Sequence, residues 1–351
     1  MIGLTPEQIS EELKGYSARL TEGMQTLRRV GEIEAGVSPR DPVYREDKLV
    51  LYRYQPQVAK PHPIPLLIVY ALVNRPYMMD IQEDRSMIRG LLAAGIDVYL
   101  IDWGYPDAGD RNLTLADYIH RYISHCVDFL RERNQQDTIN LLGVCQGGAL
   151  SLCFTSLYPE KIRNLVTMVT PIDFHTPDNL LTHLIRYVNV DLLVDSFGNV
   201  PGSFLNFAFL SLSPFRLAGQ KYVDLVDILD DATALKNFLR MEKWIFDSPD
   251  QAGAAFRQFA KDFFQQNKLI RGEVVIGERR VDLAAIVMPV LNVYATQDHL
   301  VPPAASKVLK DLCRSRDYSE LSFRGGHIGI YVSARAQREI PPAIAAWLIS
   351  R

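Results

Sequence analysis

The stretch Gly143-Val144-Cys145-Gln146-Gly147 follows the apolar run Thr138-Ile139-Asn140-Leu141-Leu142, and its reading decides the fold. A buried strand that ends in Gly-x-nucleophile-x-Gly and runs into a helix is a nucleophile elbow. The two glycines leave room for a sharp, strained turn that no side chain would tolerate. The nucleophile position holds a thiol in place of the hydroxyl that esterases use. That swap points toward acyl transfer through a thioester.

Working outward, the segments on both sides alternate between strand and helix. Leu66-Leu67-Ile68-Val69-Tyr70 is a continuous apolar strand, and Ile81 to Ala94 reads as a helix closed by Gly95. Ile96 to Ile101 is the next strand. A helix starts at Thr114 with Asp117 in the capping-box position and runs to about Arg133. The elbow strand, a helix from Gln146 to Leu157 and a strand from Asn164 to Val169 follow. Such alternation implies a mostly parallel sheet covered on both faces, and with the elbow it predicts an α/β-hydrolase fold.

Between about Pro171 and Met288 the alternation stops. Leu-, Phe- and Tyr-rich helical stretches, turns at Phe197-Gly198-Asn199 and Pro201-Gly202, and an aromatic run over Phe256 to Phe264 fill this part. Its size and position suit a cap or lid, although the same residue types serve equally as core. The alternation resumes with Val290 to Ala295, a helix from Pro303, the strand Glu320 to Phe323 and a last helix interrupted at Pro341-Pro342. The expected organisation is an N-terminal helical segment over 1–40, a core formed by 41–170 and 289–351, and a lid over 171–288. Within the first, Thr5-Pro6-Glu7-Gln8 opens an amphipathic helix over 5–30 that either binds a partner or packs on the sheet. Val43 to Tyr54 alternates like an antiparallel edge strand.

Composition narrows the function classes. At 351 residues with 48% hydrophobic content, the chain has ample material for a large core. A net charge of −3 gives no reason to expect nucleic acid as a partner. Met1 to Glu7 lacks the basic and apolar regions of a secretory signal, and no apolar run approaches the roughly 18 residues that span a bilayer. The four cysteines show no CxxC pairing, so a reducing cytoplasm is the expected setting. There is no clustered His/Cys/Asp set at ligand spacing, so no metal site is expected, and no phosphate-binding Gly-rich loop stands out.

A thiol nucleophile needs a base to make thiolate and donors to hold the oxyanion formed on attack. In this fold an acid and a histidine follow the nucleophile, each on a loop at the carboxyl end of a later strand. Asp298, in Thr296-Gln297-Asp298-His299, and His327, in Arg324-Gly325-Gly326-His327, fall at those places. The expected oxyanion donors are the backbone amides of Gln146 and Val73, the latter in Ala71-Leu72-Val73-Asn74. Cys126, Cys153 and Cys313 are read as core residues, as free cysteine usually is. His62, His120, His125, His175 and His183 have no partner pattern and are read as structural or exposed. Asp298 could also serve only as the cap of the helix near Pro302.

These residues carry a specific resemblance. The chain resembles the catalytic subunit of polyhydroxyalkanoate synthases in Gly-Val-Cys-Gln-Gly-Gly at 143–148, Tyr99 to Pro106, Val169 to Phe174, Asp298-His299-Leu300-Val301-Pro302-Pro303 and Gly325-Gly326-His327-Ile328-Gly329. The cysteine distinguishes it from related lipases and depolymerases, which usually carry serine. The resemblance implies polymerisation of a (R)-3-hydroxyacyl-CoA, such as 3-hydroxybutyryl-CoA, with Cys145 acylated and His327 as general base. Asp298 either orients His327 or helps activate the attacking hydroxyl. No cofactor is implied beyond the CoA thioester itself. The length matches the short form, closer to class III with its E-type second subunit than to class IV, and the resemblance also implies a homodimer at the surface of polyester granules. The alternatives are a Cys-Asp-His thioesterase or dienelactone-hydrolase-like enzyme, and a granule-binding protein that has kept the fold but not the chemistry.

Overall fold

The computed structural model describes residue 34 and residues 36–212, 225–229 and 231–351. The helix expected over 5–30 lies outside the described residues. Eight strands form the central sheet: β1 (Arg40–Glu46), β2 (Leu49–Tyr54), β3 (Leu66–Val69), β4 (Val98–Asp102), β5 (Ile139–Val144), β6 (Ile162–Met168), β7 (Val290–Ala295) and β8 (Tyr318–Phe323). Their spatial order is β1-β2-β4-β3-β5-β6-β7-β8. β2 is antiparallel to β1 and β4, and every later pairing is parallel.

The inner strands read as unbroken apolar runs because both of their faces are covered. Leu66 and Ile68 of β3 point into one core layer with α1 (Met87–Ala93) and the C-terminal helix Ala334–Ile349. Leu67 and Val69 point into the other, with α2 (Ser124–Asn134) and α3 (Gln146–Leu157). That split is the two-residue period of a strand. Register then aligns the strand ends that carry the site. Val69 pairs with Gly143, Val144 with Met168, Met168 with Val293, and Ala295 with Phe323. The loops after β3, β5, β7 and β8 therefore leave the sheet along one edge.

Between β6 and β7 lie helices Leu180–Ile185, Val190–Phe197, Gly202–Ser211, Ala232–Phe246 and Gly253–Phe259, followed by a π-helical turn at Ala260–Gln265. A small hairpin, Val275–Ile276 with Arg279–Arg280, also belongs here. Part of the aromatic run is core: Phe259 stacks on Phe263 with centroids 4.4 Å apart, and Phe174 packs edge-on against both.

Three local readings need correction. Val43 to Tyr54 is not one edge strand but most of the β1–β2 hairpin, turned at Asp47 with φ 50°. Aspartate accepts that left-handed conformation more readily than most residues. The helix expected from Ile81 begins only at Met87. Asp80 is fully buried and accepts hydrogen bonds from the hydroxyls of Ser38 (2.8 Å) and Ser86 (2.6 Å), which holds Asp80–Gln82 extended against Arg85–Ser86. Ser86 Oγ then caps α1 by accepting from the Arg89 amide.

The last helix is not interrupted at Pro341-Pro342 but runs through both, from Ala334 to Ile349. A mid-helix proline loses a hydrogen bond and crowds the preceding turn. Here tertiary packing outweighs that. Pro341 is buried against Gly90 of α1, so closely that a Cβ on Gly90 would lie 2.6 Å from the proline ring. The capping box at Thr114 and Asp117 is present, with Thr114 N and Oγ1 both donating to the Asp117 carboxylate at 2.7 Å. The helix it opens passes through a π-helical turn, Asp117–Ile123, before α2.

Candidate active site

β5 ends at Val144, and the chain turns on Cys145, whose φ of 53° and ψ of −122° are strained for a residue with a side chain. Close packing around the turn explains its glycines. A Cβ on Gly143 would lie 2.5 Å from Gly148 Cα, and one on Gly147 would lie 2.3 Å from the Val69 carbonyl oxygen. One on Gly148 would overlap Thr170 Oγ1. The first turn of α3 is thus pressed against the end of β3. Gly147→Ala is expected to destabilise the fold by about 3 kcal/mol or more, since backbone rather than a pliable side chain must give way. Denaturant unfolding measures it, and an unchanged midpoint would show that the elbow has slack.

Cys145 is half-buried, whereas Cys126 and Cys153 are fully enclosed. Burial pushes the Cys153 thiol up to about 12 and raises those of Cys126 and Cys313 as well. Cys313, read as core, is only partly buried.

Asp298 and His327 meet because their loops are tied together. Thr296 N donates to Phe323 O at 2.8 Å, and Gln297 N to Gly325 O at 2.9 Å. His327 Nδ1 lies 2.7 Å from Asp298 Oδ2, and the carboxylate is wholly buried. Asp298 Oδ1 accepts from the amides of Leu300 (2.8 Å) and Val301 (2.9 Å), so both oxygens are engaged. The helix after it, Pro303–Lys307, receives no side-chain cap. With Nδ1 on Asp298, the Nε2 side of the ring remains for Cys145, which also interacts with the imidazole. His299, next to the acid, is exposed.

Burial disfavours a charged His327, but the Asp298 carboxylate, followed by Cys145, outweighs it and holds the ring well above its ordinary value. A raised pKa stabilises the fold fully below the unfolded histidine value of about 6.5, and that stability is lost as pH rises through the raised one. Thermal unfolding should therefore separate His327→Gln from the parent chain most at mildly acid pH and less at alkaline pH. A gap that stays constant from about pH 6 to about pH 9 would contradict a raised imidazole.

The segments that carry the expected oxyanion donors are neighbours. Gln146 opens α3, so its amide has no intrahelical acceptor. Among the described residues neither that amide nor the Val73 amide has a hydrogen-bond acceptor. The two segments are linked directly, since Leu72 N donates to Gln146 Oε1 at 3.0 Å. The other histidines take other partners: His120 lies between Tyr158 Oη and Ile276 O, His125 meets Glu46, and His175 and His183 meet backbone carbonyls.

Sequence reading missed several neighbours. Tyr331 is buried with its ring edge-on to His327, centroids 6.1 Å apart, and burial raises its pKa well above the ordinary value. Tyr331 lies on the short helix Gly329–Val332 that follows the turn holding His327, so the two are brought together by that turn and not by a shared helix face. Trp244, Met241 and Ile245 of helix Ala232–Phe246 pack into the same apolar cluster as Cys145, and Val73 packs with Val190, Val194 and Val200. Residues so far apart in the chain carry no local sign of meeting. Among the described residues no three His, Cys, Asp or Glu side chains gather as a metal site. No helix among them is long and apolar enough to cross a membrane.

A thiol on a strained elbow, a histidine fixed by a buried carboxylate and two uncommitted amides form an arrangement suited to acyl transfer. Residues 64–334 match the family model described as alpha/beta hydrolase fold, and residues 8–91 match the one described as Poly-beta-hydroxybutyrate polymerase (PhaC) N-terminus. Among solved structures, a monoacylglycerol lipase of Paleococcus ferrophilus covers 87% of this chain and 99% of its own, with TM-score 0.56 and 18% identity, a likeness of fold. The chain is 62% identical to the Poly(3-hydroxyalkanoate) polymerase subunit PhaC of Allochromatium vinosum, covering 100% of this chain and 99% of that protein. It is 55% identical to the protein of the same name from Synechocystis sp., covering 98% and 94%. Identity of that order along nearly the full length of both proteins places the chain in the poly(3-hydroxyalkanoate) polymerase family.

Proposed function

We propose that this chain polymerises (R)-3-hydroxyacyl-CoA, such as 3-hydroxybutyryl-CoA, into polyhydroxyalkanoate with release of CoA, through an acyl thioester on Cys145. The observation that carries the reading is the half-buried Cys145 on its elbow, facing a His327 held 2.7 Å from Asp298, in a chain whose relatives are named polymerases. His327 takes the Cys145 proton, and the thiolate attacks the thioester carbonyl. The oxyanion is held by the amides of Val73 and Gln146. Collapse expels CoA thiolate, which takes the proton from His327. The 3-hydroxyl of another unit then gives its proton to His327 and attacks the acyl group, so that an ester forms and Cys145 is freed. Asp298 acts as the orienter of His327, a role supported by its wholly buried carboxylate, which already accepts from the ring and from two backbone amides.

Hydrolysis would end each chain, so water must be kept from the thioester. The segment 171–288 serves as the lid, and the packing of Trp244, Met241 and Ile245 into the Cys145 cluster supports that role. On the outside of the same segment Tyr187, Leu192, Phe197 and Phe207 stand exposed, which suits contact with a polyester surface. The working form is a cytoplasmic homodimer at the granule surface with a second, E-type subunit, and no cofactor is needed beyond the CoA thioester. The test is the product formed from (R)-3-hydroxybutyryl-CoA by the purified chain with its co-expressed partner. CoA release with insoluble polyester is expected, and CoA release with only free 3-hydroxybutyrate would make it a thioesterase.

A further inference from the structure

The loop after β3 is gripped from the lid segment at the peptide unit that carries the proposed oxyanion donor. Gln251 Nε2 donates to the Leu72 carbonyl oxygen at 2.7 Å. That carbonyl and the Val73 amide belong to one peptide, which is trans, since the described chain has no cis peptide. In a planar trans peptide the C=O and N–H point in opposite directions, so a bond that fixes one aims the other. A donor on the carbonyl also polarises the peptide and strengthens the hydrogen bond its N–H can give. Gln251 is itself held: it is buried, and its backbone exchanges two 2.9 Å hydrogen bonds with Val200.

The flanks are fixed too. Leu72 N donates to Gln146 Oε1 at 3.0 Å, which ties the loop to the elbow. Asn74, with a left-handed φ of 59°, donates from Nδ2 to Ser248 Oγ at 2.8 Å and to the carbonyls of Trp244 and Ile245 at 3.3 Å. Trp244 Nε1 in turn donates to Arg75 O at 2.8 Å. Leu72, Asn74 and Arg75 thus all bond to residues 244–251, and Val73 lies between them.

We propose that Gln251 and Asn74 are positioning residues for the oxyanion hole: the lid segment aims the Val73 amide, so acylation of Cys145 requires that segment to be seated. The proposal rests on the reading of Val73 as a donor. A displaced lid would release the Leu72 carbonyl and leave the amide free to turn, so a site open to water would also be a site poor at attack on the thioester.

The test compares two reactions of Cys145 in the full chain with its co-expressed partner. Acylation by (R)-3-hydroxybutyryl-CoA forms an oxyanion, whereas alkylation by iodoacetamide displaces iodide at a saturated carbon and forms none. Gln251→Met keeps the bulk and removes the donor, and Asn74→Gly keeps the left-handed backbone and removes the side chain. Each should slow first-turnover acylation by about 10- to 100-fold, in line with a misplacement of roughly 1 Å, and leave alkylation close to the parent rate. Unchanged acylation in both, or an equal fall in both reactions, would overturn the proposal. Val73→Pro, which deletes the amide hydrogen, separates the two layers. Selective loss there without loss in Gln251→Met would retain the donor and reject the grip from the lid. No selective loss in Val73→Pro would reject the donor itself and the proposal with it.

Discussion

Cys145→Ala is expected to abolish polymer formation and CoA release together, with a fall on the order of 10⁴-fold or more, as follows when a covalent nucleophile is removed. The fold should survive the change, because Cys145 is only half-buried and alanine meets no new atoms at the elbow. The result divides the candidate functions. A granule-binding protein that had kept only the fold would lose nothing. A polymerase loses both outputs, and a thioesterase loses its CoA release. Cys145→Ser should be nearly as inactive, since a hydroxyl is far harder than a thiol for His327 to deprotonate.

Asp298→Asn should have the next largest effect, a fall of about 10²- to 10⁴-fold, for a reason that lies in the tautomer of His327. Asp298 accepts from His327 Nδ1 at 2.7 Å, which leaves Nε2 unprotonated toward Cys145 in the neutral ring. An asparagine can orient its NH₂ toward Nδ1 and reverse this, placing the proton on Nε2, where it blocks uptake from the thiol. Every step that runs through His327 should slow, so alkylation of Cys145 by iodoacetamide falls along with polymer yield. If alkylation stayed at the parent rate and only elongation failed, Asp298 would act on the attacking hydroxyl and not through the imidazole.

Much of this site was legible because parallel strands covered on both faces leave unmistakable apolar runs. Leu66 to Val69, Ile139 to Val144 and Val290 to Ala295 could be placed from such runs, and with them the loops that hold Val73, Cys145 and Asp298. Ordered strands then bring together residues far apart in the chain, as Asp298 and His327 show. What escaped reading was decided by contacts rather than by pattern. Pro341 stays helical because Gly90 leaves room for its ring, and neither residue announces the other. Ile81 fails to start a helix because buried Asp80 is bonded to Ser38, 42 residues away. The hydrogen bond from Gln251 to Leu72 spans 179 residues, so no local periodicity could encode it.

The most direct measurement is mass spectrometry of the chain quenched soon after mixing with (R)-3-hydroxybutyryl-CoA, followed by mapping of the modified peptide. The account predicts one or more 3-hydroxybutyryl units in thioester linkage at Cys145, released by hydroxylamine and absent from Cys145→Ala. Polymer formed with Cys145 unmodified throughout, or the acyl group found on another residue, would contradict it.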